Sequence, residues 1–198
     1  MTLAFKPKKF AALETYAYHD SVLSQEDCDR AEAEFFAGAE MQKALVGSHG
    51  GHFSGYEPET RESDIRWLEH GQNTAWIFEK LATAVQGINE DFFGFDLFGM
   101  DEGIQCTQYV PGQHFKWHMD GACAGHPNRK LSMVAMLSKP EDYEGGELQL
   151  WTGPEPITLS RERGRVYFFP SYILHRVTPV TRGLRRTLVA WTSGPSFR

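Results

Sequence analysis

Arg165-Val-Tyr-Phe-Phe-Pro-Ser-Tyr-Ile-Leu-His175-Arg-Val-Thr-Pro-Val-Thr-Arg-Gly-Leu-Arg185-Arg-Thr-Leu-Val-Ala-Trp191 is the stretch that decides the fold class. Its runs Arg165–Phe169, Ile173–Val177 and Leu184–Trp191 are rich in β-branched and aromatic residues and are separated by Pro and Gly. Such short segments, bounded by turn residues, read as strands. The pattern extends upstream to Ile104–Val110, His114–His118, Leu131–Leu137 and Glu147–Trp151, with turns at Pro111-Gly112, Glu144-Gly145-Gly146 and Arg182-Gly183. Closely spaced strands of this kind predict a sandwich, jelly roll or barrel.

Before residue 100 the periodicity is helical. Ser24 can cap a helix with Glu26 and Asp27 in its first turn, followed by Cys28, Ala31 and Phe35 at helical spacing and Gly38 as a stop. Asn73 or Thr74 can cap a second helix, with Ile77, Leu81, Ala84 and Ile88 on one face and an end near Asp91. The front half therefore reads as mostly helical. The fold class is mainly β with flanking helices packed outside. Residues 1 to about 12 read as a loose tail or edge segment, and Gly47–Gly55, carrying His49 and His52, as a mobile loop. Arg61–Leu68 alternates polar and apolar residues. It reads as an edge strand, or as a segment whose Arg66 or Trp67 lines a substrate pocket.

At 198 residues and 22.5 kDa the chain suits one domain spanning 1–198, with a support region over about 1–99 and a core over about 100–193. No apolar run approaches the roughly 20 residues needed to span a bilayer, so no membrane partner is expected. Lys6, Lys8 and Lys9 near the start precede no apolar stretch, which argues against a secretory leader. Cys28, Cys106 and Cys123 are odd in number and widely spaced, so neither a disulfide framework nor a cysteine zinc site is expected, and a cytoplasmic setting is. The net charge of −6 argues against a nucleic-acid partner. The segment from Arg161 to Arg198 nevertheless holds eight Arg against one Glu, a basic region suited to a small dianion.

Two stretches carry chemistry. In the first, Tyr109-Val-Pro-Gly112-Gln-His-Phe-Lys-Trp-His118-Met-Asp120, an imidazole and a carboxylate stand two residues apart. On a strand that spacing places both on one face. With His175 from another strand they form two histidines and one carboxylate. That facial triad leaves positions open on an octahedral ion, unlike a closed four-ligand zinc site. In the second stretch Arg185 lies ten residues after His175, and Thr187 two further on, sharing a strand face. A guanidinium and a hydroxyl so placed can take a carboxylate end-on. Arg186 should face the other way, toward solvent. His114 and His118 would form a zinc pair only on a helix, which Pro111-Gly112 argues against.

Taken together these residues resemble the Fe(II)- and 2-oxoglutarate-dependent dioxygenases, and within them the prolyl 4-hydroxylase branch with its PKHD-type members. The resemblance rests on Tyr109-x-x-Gly112-Gln113-x-Phe115-x-x-His118-x-Asp120, Glu144-Gly-Gly-Glu-Leu148, and Phe169-Pro170-Ser171 with Leu174 to Gly183. It covers roughly residues 100 to 193. It implies a double-stranded β-helix (a cupin-like jelly roll) with His118, Asp120 and His175 as both catalytic residues and metal ligands to Fe(2+). Arg185 would bind the distal carboxylate of 2-oxoglutarate, and Thr187 and Tyr109 would contact the same cosubstrate. Collagen-type enzymes usually carry Lys where Arg185 stands, so the pattern sides with the PKHD type. Related halogenases lack the carboxylate ligand, so Asp120 points to oxygen insertion. The implied reaction uses O2 and 2-oxoglutarate to hydroxylate a C–H bond, with succinate and CO2 as products and ascorbate as an optional addition. The implied substrate is a prolyl or other amino-acid side chain, in a small molecule or a peptide. Both histidines must be neutral to bind metal, so activity should fall below about pH 6.

Alternatives remain at this level. One is a nucleic-acid demethylase on the same barrel, disfavoured by the charge and by the lack of a further Arg at the expected spacing after Arg185. Another is a non-catalytic jelly-roll binding protein. A third is an iron dioxygenase that uses no 2-oxo acid.

Overall fold

A computed structural model describes residues 14–47, 54–121 and 126–196. The tail at 1–12, positions 48–53 with His49 and His52, and positions 122–125 with Cys123 lie outside the described residues. In chain order the elements of the first half are β1 (Ala17–His19), α1 (Gln25–Phe35), β2 (Gln42–Lys43), β3 (Val46–Gly47), β4 (Ser54–Gly55), β5 (Arg61–Glu62), β6 (Asp64–Leu68) and α2 (Ala75–Ile88). The second half contains β7 (Ile104–Tyr109), β8 (His114–His118), β9 (Arg129–Met136), β10 (Tyr143–Gly145), β11 (Leu148–Trp151), β12 (Ile157–Thr158), β13 (Val166–Pro170), β14 (Leu174–Val177), β15 (Val180–Gly183) and β16 (Arg185–Ser193). All seven strands expected after residue 100 are present. The front region is not mostly helical, because it also contributes β1 to β6.

A large sheet runs β1-β13-β9-β16-β7-β6-β2, and a smaller one, β12-β11-β14-β8-β5, packs against it. This is the double-stranded β-helix, a jelly roll. Strand parity explains the two cores. On β9, Met133 and Ala135 face α1 and α2, together with Leu131, whereas Val134 and Met136 face the smaller sheet. On β13, Val166 and Phe168 join the helix side, and Tyr167 and Phe169 the inter-sheet side. Every residue of β9 is buried, so this strand reads as a continuous run rather than an alternation. Truncating a buried aromatic such as Phe168 to Ala would cost roughly 3–5 kcal/mol.

The helices dock by their apolar stripes. Ser24 caps α1 in a reciprocal capping box with Asp27, and Cys28, Ala31 and Phe35 are its buried face. Gly38 ends the turn beyond it with φ 67°. On α2, Ile77, Phe78, Leu81, Val85 and Ile88 are buried, whereas Ala84 is only partly so. Thr74 occupies the N-cap position without capping: its Oγ1 donates to the Glu69 carbonyl at 2.6 Å and accepts from the Gly71 amide at 2.9 Å. The helix ends at Ile88 and continues as a π-helical turn, Asn89–Phe93, so the expected end at Asp91 falls inside that turn.

The segment Arg61–Leu68 is not a simple edge strand. Arg61–Glu62 pairs with β8 in the smaller sheet, and β6 pairs with β7 in the larger one, bordered outside only by two-residue β2. It thus links the two sheets along one side of the cavity between them. No helix among the described residues is long and apolar enough to cross a membrane.

Candidate metal centre

His118 closes β8, and His175 lies opposite it on β14 as a direct cross-strand pair, their rings 4.1 Å apart. The β14–β8 register shifts between His175 and Val177, a bulge of the kind that re-aims side chains at sites. Each imidazole is oriented by its own backbone. His118 Nδ1 donates to the Lys116 carbonyl at 2.8 Å, and His175 Nδ1 to the Ile173 carbonyl at 2.8 Å. A carbonyl only accepts, so the proton sits on Nδ1 in both rings and Nε2 is left as a free donor pair for an ion.

Asp120 completes the group, but not by sharing a strand face with His118. It lies past the end of β8, in a bend tied down by the amides of Asp120 and Gly121, which both donate to the Ser171 carbonyl at 3.0 and 2.9 Å. Gly121 is required there, because a Cβ would lie 2.9 Å from the Arg129 carbonyl oxygen and 3.0 Å from Ser171 Cβ. The carboxylate stands 3.6 Å from His118 Nε2 and 3.4 Å from His175 Nε2. The three donor atoms lie within 4.8 Å of one another. Ser132 Oγ donates to Asp120 Oδ2 at 2.7 Å and lies 3.0 Å from Ser171 Oγ. Arg129 donates to the Asp120 carbonyl at 3.2 Å, pairs with Glu102, and stacks on Trp191.

The electrostatics favour metal over protons. Burial would raise the Asp120 pKa, but His175 and the contacts from both imidazoles outweigh it and hold the carboxyl well below its usual range. Burial, aided by His175, pushes His118 down to about 4. Burial also lowers His175, but Asp120 outweighs it, so its pKa is raised. The pocket thus holds an ionised carboxylate and one imidazole that resists protonation, and Asp120 favours a proton on His175, with which a metal would compete. Two imidazoles and one carboxylate converging from one side suit a divalent transition metal with open positions.

Those positions open into a cavity of about 510 Å³ between the sheets, lined among others by Arg61, Trp67, Thr107, Tyr109, Arg185 and Trp191. Arg185 is 1% exposed, and its Nε and Nη2 have no partner among the described residues. Its Cζ lies 5.2 Å from the Tyr109 ring, its cross-strand neighbour. Gly146, at φ 60°, gives it room: a Cβ there would stand 2.8 Å from Arg185 Cδ. Thr187, also 1% exposed, lines the cavity with it. All six expected site residues therefore border one cavity.

Other expectations are corrected. Trp67 lines the cavity, but Arg66 turns to the helix side and donates to the Phe35 carbonyl at 3.3 Å. Arg186 faces away from the cavity, yet it is not free in solvent: it bonds Gln108 at 3.2 Å and covers the Phe36 ring. Sequence reasoning missed Arg61, Gln105, Ser132 and Ser171. Ser132 did leave a signal, a polar residue inside the apolar run Leu131–Leu137.

Residues 104–193 match the profile described as the 2OG-Fe(II) oxygenase superfamily. A PKHD-type hydroxylase of Sphingopyxis alaskensis is 37% identical over 108 residues, 52% of this chain and 49% of that protein. The chain spans about half the length of the curated relatives it matches. A Pseudomonas putida prolyl-4-hydroxylase superposes with a TM-score of 0.68 at 20% identity, covering 92% of this chain and 94% of that one. A Trichoplax adhaerens prolyl hydroxylase, solved with a hypoxia inducible factor oxygen degradation domain peptide fragment, gives 0.71 at 13% identity, covering 90% and 83%. At these identities the structural likeness is one of fold.

Proposed function

We propose that this chain, whose residues 104–193 match the 2OG-Fe(II) oxygenase superfamily profile, is a hydroxylase of that kind in which His118, Asp120 and His175 hold Fe(2+) and Arg185 holds 2-oxoglutarate. The observation that carries this reading is the unpartnered, buried Arg185 guanidinium in the same cavity as the three ligand atoms. A buried cation without a counter-charge is costly, so the cavity is built to receive an anion. A carboxylate fits the planar fork of Arg185, with the Thr187 hydroxyl as a second contact and Tyr109 closing the side. Held by these residues, Fe(2+) and 2-oxoglutarate would supply O2 activation, so that 2-oxoglutarate, O2 and a substrate C–H would give succinate, CO2 and C–OH.

The protein's own part is orientation and exclusion of water. The backbone carbonyls of Lys116 and Ile173 fix the two imidazoles, and Ser132 fixes the carboxylate. Leu148, Val177 and Val134 wall the cavity with apolar surface. The substrate class is an amino-acid side chain, prolyl or other, free or in a peptide. This follows the names of the relatives, PKHD-type hydroxylase and prolyl hydroxylase. Residues 100–193 serve as the catalytic core of one domain, and the preceding region as its support, with Arg61 and Trp67 adding to the cavity wall, in a reducing cytoplasm where Cys28 and Cys106 stay free thiols. Nucleic acid is not a partner in this reading, and ascorbate is an optional reductant.

The test is a succinate-release screen with Fe(II), 2-oxoglutarate and O2 over free amino acids and proline-containing peptides. Substrate-stimulated succinate that disappears in Asp120→Ala supports the reading. Wild-type turnover by Asp120→Ala overturns it.

A further inference from the structure

Arg185 is not the only buried guanidinium in the cavity. Arg61, 8% exposed, lines it from β5. Its Nε donates to Ser63 Oγ at 3.0 Å and its Nη2 to Gln105 Oε1 at 2.7 Å, both neutral acceptors. Among the described residues it forms no ion pair with a carboxylate, and the Asp120 carboxylate acts on it only electrostatically. Arg129, the third arginine of the lining, is by contrast paired with Glu102. Arg61 lies over the Phe115 ring at 4.6 Å, and that ring stacks on His118 at 3.4 Å. The guanidinium is thus one aromatic layer from a proposed metal ligand.

Arg61 and Arg185 occupy different ends of the cavity. Arg61 is anchored at the Gln105 row of β7, whereas Arg185 pairs with Tyr109. Four residues of strand separate those rows, roughly 13 Å. The two guanidinium groups are thus carried on different rows of the cavity wall, with Tyr109 between them: it packs on Arg185 and acts electrostatically on Arg61. The Arg61 end has a different character: Trp67, Val189 and Trp191 surround it, with Leu45 and Val46 also in the lining. Trp191 is 5% exposed and its indole N–H, a donor only, has no partner among the described residues.

We infer that Arg61 is the substrate's anion anchor: the substrate carries a carboxylate on an apolar body, bound at the Gln105–Trp191 end while 2-oxoglutarate occupies the Arg185 end. This rests on the proposed function and sharpens its substrate class. Arg61 makes a charge-assisted bond to the carboxylate, and the indole N–H of Trp191 offers a second donor. The aromatic walls cover the apolar part. The carboxylate can belong to a free amino acid or to the end of a peptide.

The test uses the full chain loaded with Mn(II), a redox-silent stand-in, and a non-reactive amide analogue of 2-oxoglutarate, read by tryptophan fluorescence and calorimetry. The probes are L-proline against L-prolinamide, and Gly-Pro against Gly-Pro-amide, the second pair distinguishing a peptide end from a free amino acid. In the wild type at least one acid should bind about tenfold or more tighter than its amide, as expected for a charge-assisted contact. Arg61→Gln should bring the two within about twofold while keeping the 2-oxoglutarate analogue bound. Arg61→Lys, which keeps the charge, should retain part of the preference. Equal binding of acid and amide, or binding of neither, overturns the inference, as does loss of the 2-oxoglutarate analogue in Arg61→Gln with retention in Arg185→Gln. If Arg185→Gln and Arg61→Gln both keep the analogue, the cosubstrate assignment fails instead, and Arg61 still stands or falls on the acid-to-amide ratio. A purely structural role for Arg61 would lower stability without moving that ratio.

Discussion

Replacing Arg185 by Met should make the ligand-free protein more stable and blind to 2-oxoglutarate. Arg185 is 1% exposed and leaves Nε and Nη2 without partners among the described residues. Each unsatisfied buried donor costs about 1–3 kcal/mol. The Tyr109 ring face, 5.2 Å away, returns part of this, roughly 1–2 kcal/mol. Met is similarly long and unbranched, and Gly146 leaves the space its chain needs. The net gain for Arg185→Met is about 2 kcal/mol, or roughly 4–8 °C in Tm for a chain of this size. The wild type should recover this deficit on binding, since a ligand at a hundredfold its Kd adds about 2.7 kcal/mol. The assay is thermal and urea unfolding of both proteins in Mn(II), with and without 2-oxoglutarate. A variant less stable than the ligand-free wild type would show that the guanidinium is already satisfied. A variant that keeps the full 2-oxoglutarate shift would remove Arg185 from the cosubstrate site.

Three further outcomes follow from the site and the core. Ser132→Ala removes the 2.7 Å hydrogen bond to Asp120 Oδ2 and should weaken Mn(II) binding by about 10–100-fold, measured by calorimetry; unchanged affinity would show that Ser171 and the loop suffice. Burial lowers the His175 pKa but Asp120 outweighs it and raises it above the ordinary 6.5, so metal competes there with a proton that is held more tightly than by a free imidazole. Mn(II) affinity should therefore be highest above that raised value and decline as pH falls through it, so the loss begins above pH 6.5 rather than at the pH 6 expected of free imidazoles, with His118, lowered to about 4, contributing little in that range. A flat affinity from pH 5.5 to 8, a range chosen around the ordinary imidazole pKa of roughly 6.5, would contradict this. Burial pushes the Cys28 and Cys106 thiols up to about 11 and about 12, so at pH 8 a chromogenic disulfide should titrate neither until the protein unfolds. Rapid modification of either, located by peptide mapping, would refute the packing of α1 and α2 on the large sheet.

The strands of the two sheets after residue 100 were legible because short runs of β-branched and aromatic residues stand between Pro and Gly turns, even where, as on β9 and β13, every residue is buried. The elements that escaped are short. β10 and β15 form a two-stranded ribbon of three and four residues, too brief for alternation to register. β1 escaped for another reason. It is three residues ahead of α1, and its pairing partner, β13, lies far away in sequence. Nothing local marks such a strand, whereas the alternation over Arg61–Leu68 did mark β6. Thr74 failed as a cap because its hydroxyl found nearer partners in the preceding turn, a competition that composition alone does not resolve.

At the site, residue types were more legible than their mechanics. The His118–Asp120 spacing pointed to two side chains that the structure does bring together, but for another reason: the strand stops at His118, and Asp120 is aimed by Ser171 and Ser132 instead. Any argument from strand faces would therefore have tolerated Asp120 only by coincidence of spacing. Parity does hold along β6. Trp67 faces the cavity, whereas Arg66 and Leu68 fall on the helix side with Cys106. Once Trp67 is taken as a pocket residue, alternation excludes Arg66. Arg61 reaches the same cavity from β5, a separate strand of the smaller sheet, which no alternation along β6 foretells. Because Ser63 and Gln105 hold it without neutralising it, its charge remains available to whatever enters from that end.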